Sequence, residues 1–594
     1  PHITPHCVYN SKYFLFFHLF NFFIFFNWGY GSLLKKQFKK DLNFGETGIY
    51  GFVIIYLILV VIHFFSPIDF LIGLLIKTIG LLIGLKNYFL IRKIESKLFN
   101  KFAIIVIIFF ICSLTDVVHD DFYWYHLPTI NYIHDYKIII GIASLNDQLG
   151  YGQGYFYLSS LFLDPILKFN FIYQPSIIII SFFLIFMIEE NSKNKIIENK
   201  ILFYFFTSII LIKFTRFKEY GLDIFAFCII GMLSHYLISF YKTKNKIYFN
   251  KSLLLIVFGF FIKQYIIITI FYLIYYLYKL KLKIFLFFKD RLFLFLCISI
   301  TIVSISKNIL QTGCMVYPIP STCVSSNYIN WSLGKDVAKN RFDHLQAYSK
   351  GIKMYAKEIK DNNLKAEEYL KDFKYSFHRM LILDKGEVEK IYIVLFLAIV
   401  LKIILLTSSK RKSSNPYSKK DLIALILTSS VTLIYWLWEA PSMRFGGYFF
   451  VIFFIFSLFF FMPLQKNNYI FTFKKFNILI FCLIGLFVYK NISRITKEIK
   501  INENFPKHSL VEIKYKLSNK FIIPIKISNH EYFCGNIRGL CSPNTNKNSV
   551  MKLEKKNNYY FIYPNKLDHL IKIDKELTDI MYSIDKFSPT YEKK

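Results

Sequence analysis

Uncharged apolar runs recur along this chain, among them FVIIYLILVVIHFF from Phe52 and IIIISFFLIFMI from Ile177. Such segments are hydrophobic on every face rather than along one stripe, the pattern of helices surrounded by lipid or by other helices. A helix needs roughly 20 mostly apolar residues to cross a bilayer. On that basis spans are expected at 12–30, 48–64, 69–91, 102–115, 172–190, 200–215, 223–242, 251–262, 265–279, 290–308, 391–407, 421–438, 448–463 and 477–490. The stretch 251–279 is divided at Lys263-Gln264, because a charge inside hydrocarbon is costly unless it reaches an interface. The chain begins at Pro1 rather than Met, so residues before it are expected. The first apolar stretch, Tyr13 to Tyr30, lacks a basic leader and a small-residue cleavage site and reads as a span.

The lysines test this count independently. Loops carrying Lys35, Lys36, Lys39 and Lys40, then Arg92, Lys93, Lys97 and Lys101, then Lys193, Lys195 and Lys200 all fall on one side. Lys242 to Lys251, Lys279 to Arg291, Lys410 to Lys420, and Lys474 with Lys475 join them. The opposite short loops hold little beyond Arg216, Lys218, Lys263 and Arg444. The positive-inside rule makes the lysine-rich side cytoplasmic. Residues 116–171, 309–390 and the tail 491–594 then face outward. Period-two runs such as Val511 to Tyr515 give the tail the look of a small mixed α/β domain. The stretch Tyr155 to Leu167, interrupted by Asp164-Pro165, must lie along the surface, since counting it as a span inverts every later loop.

Composition agrees. The 594 residues are 55% hydrophobic and only 19% charged, with mean hydropathy +0.40, too apolar for a soluble chain of this size. The net charge of +34 sits largely in short loops, where it orients the protein rather than binding nucleic acid. Cys314 with Cys323, and Cys534 with Cys541, form close pairs in outward segments, where an oxidising compartment permits a disulfide in each; free thiols are the other reading. Neither pair has the further Cys or His of a zinc site.

The most unusual stretch is TDVVHDDFYWYHLP, residues 115–128, directly after the fourth expected span. Its carboxylates Asp116, Asp120 and Asp121 stand beside His119 and His126 and an aromatic cluster, and acids at a membrane surface are expensive to desolvate. One could act as general base towards a hydroxyl while a neighbour holds it or a divalent metal. Tyr123, Trp124 and Tyr125 suit a sugar platform and equally an interfacial anchor. Pro128 suits the first turn of a following helix.

An Asp just after a span, two surface helices and then paired spans resembles the GT-C superfamily of membrane glycosyltransferases. Within it the chain is similar to an uncharacterised bacterial multi-pass family with a D-x-x-x-Y-H-L-P pattern, matched by Asp121, Tyr125, His126, Leu127 and Pro128. The likeness extends to GIASLNDQLGYGQGYF from Gly141, Tyr317-Pro318, Arg444-Phe445 and the spaced Cys534 and Cys541. It implies an all-α polytopic fold of about fourteen spans with a small outer α/β domain. The expected organisation is accessory helices at 1–101, a core at 102–308 with catalytic loop 116–171, an outer loop at 309–390, further helices at 391–490 and an outer domain at 491–594. The implied reaction takes a sugar from a polyprenyl-phosphate carrier to a glycan or lipid acceptor, at the outward face of a bacterial inner membrane. Asp121, with Asp120 beside it, is the implied base, and Asp223 (or Glu219) the second acid. Arg444 and Lys263 are candidates for the carrier phosphate, or else snorkelling anchors. Tyr123, Trp124, Tyr125 and His126 would meet substrate, with no cofactor and no required metal. An O-antigen-type polymerase or ligase, and a transporter or flippase, are the competing classes.

Overall fold

Asn43 begins the first long helix. Its side chain accepts from the Glu46 amide at 2.8 Å, and the Asn43 amide donates to the Glu46 carboxylate at 3.1 Å, a reciprocal capping box. The helix (α2, Phe44–Phe65) stops at Ser66, before Pro67. A helix at 25–35 (α1) precedes it. The computed structural model describes residues 25–35, 42–112, 125–164, 169–170, 173–193, 197–213, 217–279, 291–351, 366–383, parts of 386–400, 419–461, 469–501, 525–527, 530–532, 552–556 and 559–563.

The helices that follow are α3 (Phe70–Cys112), α4 (Leu127–Asp135), α5 (Tyr155–Ser160), α6 (Gln174–Lys193), α7 (Ile197–Lys213) and α8 (Phe217–Thr243). Next are α9 (Ile247–Ile262), α10 (Ile270–Lys279), α11 (Arg291–Thr312) and α12 (Gly334–Ser349). Two short helices, α13 (Ala366–Lys371) and α14 (Phe373–His378), lead to α15 (Lys419–Glu439), α16 (Met443–Phe461) and α17 (Tyr469–Ile501). Among the described residues, five segments are long and apolar enough to cross a membrane: Phe44–Phe65, Phe70–Asn87, Gln174–Ser192, Gly221–Tyr241 and Arg291–Thr312. Shorter apolar helices at Asn100–Ile111, Ile201–Ile212, Ile247–Ile262, Gln264–Tyr278, Ile423–Glu439 and Phe445–Ser457 accompany them.

Their packing explains the composition. The apolar window of α8 is 100% buried, so this helix is the centre of the bundle, with α6 and α9 against it. The corresponding window of α3 is only 28% buried, and Leu71, Leu75 and Leu82 point outward from it. Phe295, Ile298 and Ile302 do the same on α11. Exposed leucine and isoleucine on a helix that keeps its own backbone hydrogen bonds suit a hydrocarbon solvent.

One expected boundary is corrected. The turn placed at 92–101 between two spans is absent, because α3 runs unbroken for 43 residues from Phe70 to Cys112. That is about 65 Å of helix, twice a hydrocarbon core. No Gly or Pro occurs between Asn87 and Cys112 to stop it, and charge alone had suggested the break. The division of 251–279 does occur: α9 ends where Lys263 turns extended, and a 3-10 turn, Gln264–Thr269, leads into α10. Tyr155 to Leu167 holds the short buried helix α5 and a two-residue ladder, Leu163–Asp164 (β1) with Phe169–Asn170 (β2), and no spanning helix among its described residues. In the tail α17 continues to Ile501, and beyond it the described structure is two antiparallel hairpins, Ile525–Ile527 (β3) with His530–Tyr532 (β4) and Lys552–Lys556 (β5) with Tyr559–Tyr563 (β6).

Several loops gather at one end of the bundle. The amide of Ile68 donates to Ile133 O at 2.9 Å, Ile138 to His63 O at 3.1 Å, Gly141 to Leu310 O at 2.8 Å and Gly154 to Phe261 O at 2.7 Å. The segment 125–164 is thereby laid across the ends of α2, α9 and α11. Lys77, a charge within an apolar stretch of α3, donates to Leu161 O at 3.0 Å and so belongs to the same layer. Cys314 and Cys323 are joined by a disulfide, and Arg341 on α12 pairs with Asp147, which docks the following loop on this layer. The tail reaches it too: the Tyr559 hydroxyl donates to Phe64 O at 2.9 Å, under the Lys137 ammonium 5.1 Å from its ring.

Candidate functional site

Asp223 lies just inside the central helix. The α8 backbone leaves helical geometry at Gly221, where a Cβ would lie 2.5 Å from the Tyr173 ring, so only glycine lets α6 and α8 approach this closely. Two residues later the Asp223 carboxylate is buried, 3% exposed, in a layer otherwise built of hydrocarbon and rings. Its partner is Lys263, the residue where α9 breaks. Lys263 Nζ and Asp223 Oδ1 form a buried ion pair, and the Tyr265 hydroxyl donates to the same oxygen at 3.4 Å. A carboxylate and an ammonium this deep are tolerable only together.

An aromatic frame holds the ammonium. Lys263 Nζ lies 4.6 Å from the centre of the Tyr265 ring and 5.2 Å from that of Phe445, and the two rings are 6.2 Å apart. Phe445 enters from the first turns of α16, immediately after Arg444. There too a glycine is required: the helix departs from regular geometry at Gly446, and the indole of Trp436 occupies the space a side chain would take. The structure thus joins Asp223 to Lys263 and brings the backbone at Arg444 beside them.

The first loop reaches this pair through tyrosines. His126 Nδ1 is 3.5 Å from the Tyr173 hydroxyl, and the Tyr173 ring covers Gly221. Tyr125 meets His126 edge-on at 4.4 Å and Tyr151 at 5.8 Å. Ser176 Oγ donates to Gly221 O at 2.6 Å and lies 2.8 Å from the Tyr155 hydroxyl. Burial raises the phenols of Tyr155 and Tyr317 well above their ordinary range, so both remain neutral hydrogen-bonding groups.

Asp116, His119, Asp120, Asp121, Tyr123 and Trp124 lie outside the described residues, as do Cys534 and Cys541 and the side chains of Glu219 and Arg444. Among the described residues no group of three His, Cys, Asp or Glu side chains is arranged to hold a metal. Tyr265, Tyr173, Tyr155 and Ser176 are site residues that the sequence reading missed. Tyr265 stands two places from Lys263, and Tyr155 closes the glycine-rich run GYGQGY, so proximity to a chosen motif was the available signal. Tyr173 and Ser176 carry no local signature.

Long apolar helices around a buried ionic pair at one end define a helical membrane protein with a polar site at the margin of its bundle. A family described as a domain of unknown function (DUF8201) matches residues 12–451, and the chain belongs to that family. The matched region includes His126, Asp223, Lys263 and Phe445 and stops short of the tail hairpins. No curated protein and no solved structure matches the chain.

Proposed function

We propose that this protein is a membrane glycosyltransferase of the GT-C type, moving a sugar from a polyprenyl-phosphate carrier to an envelope glycan or lipid acceptor. The observation that carries the reading is the buried pair of Asp223 and Lys263, framed by Tyr265 and Phe445 and bordered by the backbone at Arg444. An acid and two bases near the ends of apolar helices suit a substrate whose lipid stays in the membrane while its phosphate reaches the margin. Spans beyond the five long apolar segments, an outer α/β tail domain and a bacterial inner-membrane location with this end outward belong to the same proposal. The lysine distribution supports that orientation.

In the proposed reaction the acceptor hydroxyl attacks the anomeric carbon. Asp121 takes the hydroxyl proton, the new oxygen–carbon bond forms as the carbon–phosphate-oxygen bond breaks, and the lipid phosphate leaves with the electron pair. A single displacement inverts the anomeric centre. Lys263 and Arg444 stabilise charge on the leaving phosphate, with Asp223 holding Lys263 in place. No metal is required by this scheme.

The test is mass analysis of envelope glycans in a deletion strain complemented with wild type, Asp121→Asn or Asp223→Asn. Loss of one sugar in the deletion, restored by wild type and by neither variant, is the expected result. Full restoration by Asp121→Asn would overturn the assigned base. A change in chain length, rather than loss of a residue, would favour a polymerase or ligase. Movement of lipid-linked sugar across vesicles without transfer would favour a flippase.

A further inference from the structure

On α11 the residues Ser304, Lys307, Asn308 and Gln311 are buried at helical spacing, facing α2 and the glycine-rich turn, while Phe295, Ile298 and Ile302 on the same helix are exposed. Lys307 is fully buried. Its Nζ donates to Gly152 O at 2.6 Å and lies 5.3 Å from the centre of the Tyr157 ring, and among the described residues no carboxylate pairs with it. A lone amine in a membrane helix is expensive to bury, and a methionine would fill similar volume at lower cost. The buried amine therefore needs a reason, and the residue it grips supplies one.

The turn Gly150–Tyr155 touches both backbone segments that carry the ionic pair. Gly152 is left-handed at φ 60° and a Cβ there would strike Asn308. Gly154 N donates to Phe261 O at 2.7 Å, two residues before Lys263. The Tyr155 hydroxyl meets Ser176 Oγ at 2.8 Å, and Ser176 Oγ donates to Gly221 O at 2.6 Å, two residues before Asp223. One three-residue step of the turn thus links Lys307 to the two halves of the site.

We propose that Lys307 is a positioning residue: by clamping Gly152 it fixes the turn, and through Gly154 and Tyr155 the turn sets the separation and facing of Lys263 and Asp223. This role deepens the proposed function and rests on that reading only for its purpose; the mechanical linkage stands without it. A hydrogen bond to a carbonyl is directional and strong in a low-dielectric layer, which a packed apolar side chain is not. Preorganisation of charged groups depends on such supporting contacts.

Hydrogen exchange of the full chain in lipid nanodiscs tests the linkage without any substrate. Lys307→Met should speed amide exchange about tenfold in 150–157, 217–226 and 259–267, the factor expected for loss of one hydrogen bond, and leave 44–50 at the other end unchanged. Lys307→Arg, which can donate to the same carbonyl, should restore most of the protection. Tyr155→Phe should loosen 217–226 and spare 259–267, and it carries the test should Lys307→Met fail to accumulate. Faster exchange confined to 150–157, or a rise spread equally to 44–50, would overturn the proposal. Loss of glycan product with normal exchange would instead point to the proposed chemistry and not to this linkage.

Discussion

Lys263 Nζ pairs with the Asp223 carboxylate between the rings of Tyr265 and Phe445, at the point where α9 gives way to a 3-10 turn. Each charge is buried, so each depends on the other. Removing one partner of such a pair costs about 3–5 kcal/mol, because the remaining charge is left in a poor solvent. Lys263→Met and Asp223→Leu should therefore each lower the thermal midpoint of the detergent-solubilised protein markedly. The double variant should recover much of that loss while remaining inactive in the complementation assay. Stability and activity recovering together would mean that the pair is structural only.

Much of this arrangement was readable from the chain. Lys263 stood out as a charge interrupting an apolar run, and the break at that residue followed from the cost of carrying it through hydrocarbon. Asp223 was reached through the likeness to the glycosyltransferases, and Arg444 as a lone base in a loop otherwise bare of charge. The direct pairing of Asp223 with Lys263 did not stand out, since it depends on the approach of α8 to α9, and nothing local encodes that contact. Lys307 sat in plain view inside an expected span and was passed over, because its partner is a backbone carbonyl far along the chain. The supposed turn at 92–101 failed for the opposite reason: charges mark interfaces, but Arg, Lys and Glu are all compatible with helical geometry and do not by themselves end a helix.

The loop after α11 is secured twice, by the Cys314–Cys323 disulfide and by the buried pair of Arg341 with Asp147. Gln264 also donates to Tyr317 O at 2.5 Å, which ties this loop to the turn beside Lys263. The cross-link spans nine residues, and closing so short a loop is worth about 2–3 kcal/mol in the chain-entropy account. Cys314→Ser with Cys323→Ser should make 313–333 susceptible to limited proteolysis while leaving the helical core resistant. Arg341→Leu should be the more damaging change, exposing the loop and lowering glycan product, because Asp147 is then left buried alone. Equal protease resistance in both variants would show that neither contact docks the loop.

Gly221 gives a sharp steric test. A methyl group there would sit 2.5 Å from the ring of Tyr173, whose hydroxyl lies 3.5 Å from His126 Nδ1. Gly221→Ala should cost about 1–3 kcal/mol as an overpacked core position. Tyr173→Leu in the same chain should relieve the clash and return part of the stability, without restoring transfer if Tyr173 also orients His126. Additive effects in the two single variants, measured by thermal unfolding, would mean that the contact is slack enough to absorb a methyl.

At the other end of α9, one more buried pair should be separable from function. Lys251 Nζ lies 2.8 Å from Glu46 Oε1, which also accepts from the Tyr236 hydroxyl at 2.6 Å. Beside it the Glu189 carboxylate accepts from the amides of Phe44 and Gly45 at 3.2 and 3.0 Å, at the positive end of α2. These contacts fasten α2, α6, α8 and α9 together at the end of α9 opposite Lys263. Lys251→Met leaves the buried Glu46 carboxylate without this countercharge, held only by Tyr236 and the Asn43 amide, and should cost about 3 kcal/mol, whereas Glu189→Gln keeps an acceptor at the helix terminus and should cost about 1 kcal/mol. With both variants rescued for expression at low temperature, the amount of glycan product per folded molecule should match wild type. A loss of product per folded molecule equal to that of Asp223→Asn would show that the two ends of the bundle act together and that the site extends through its core.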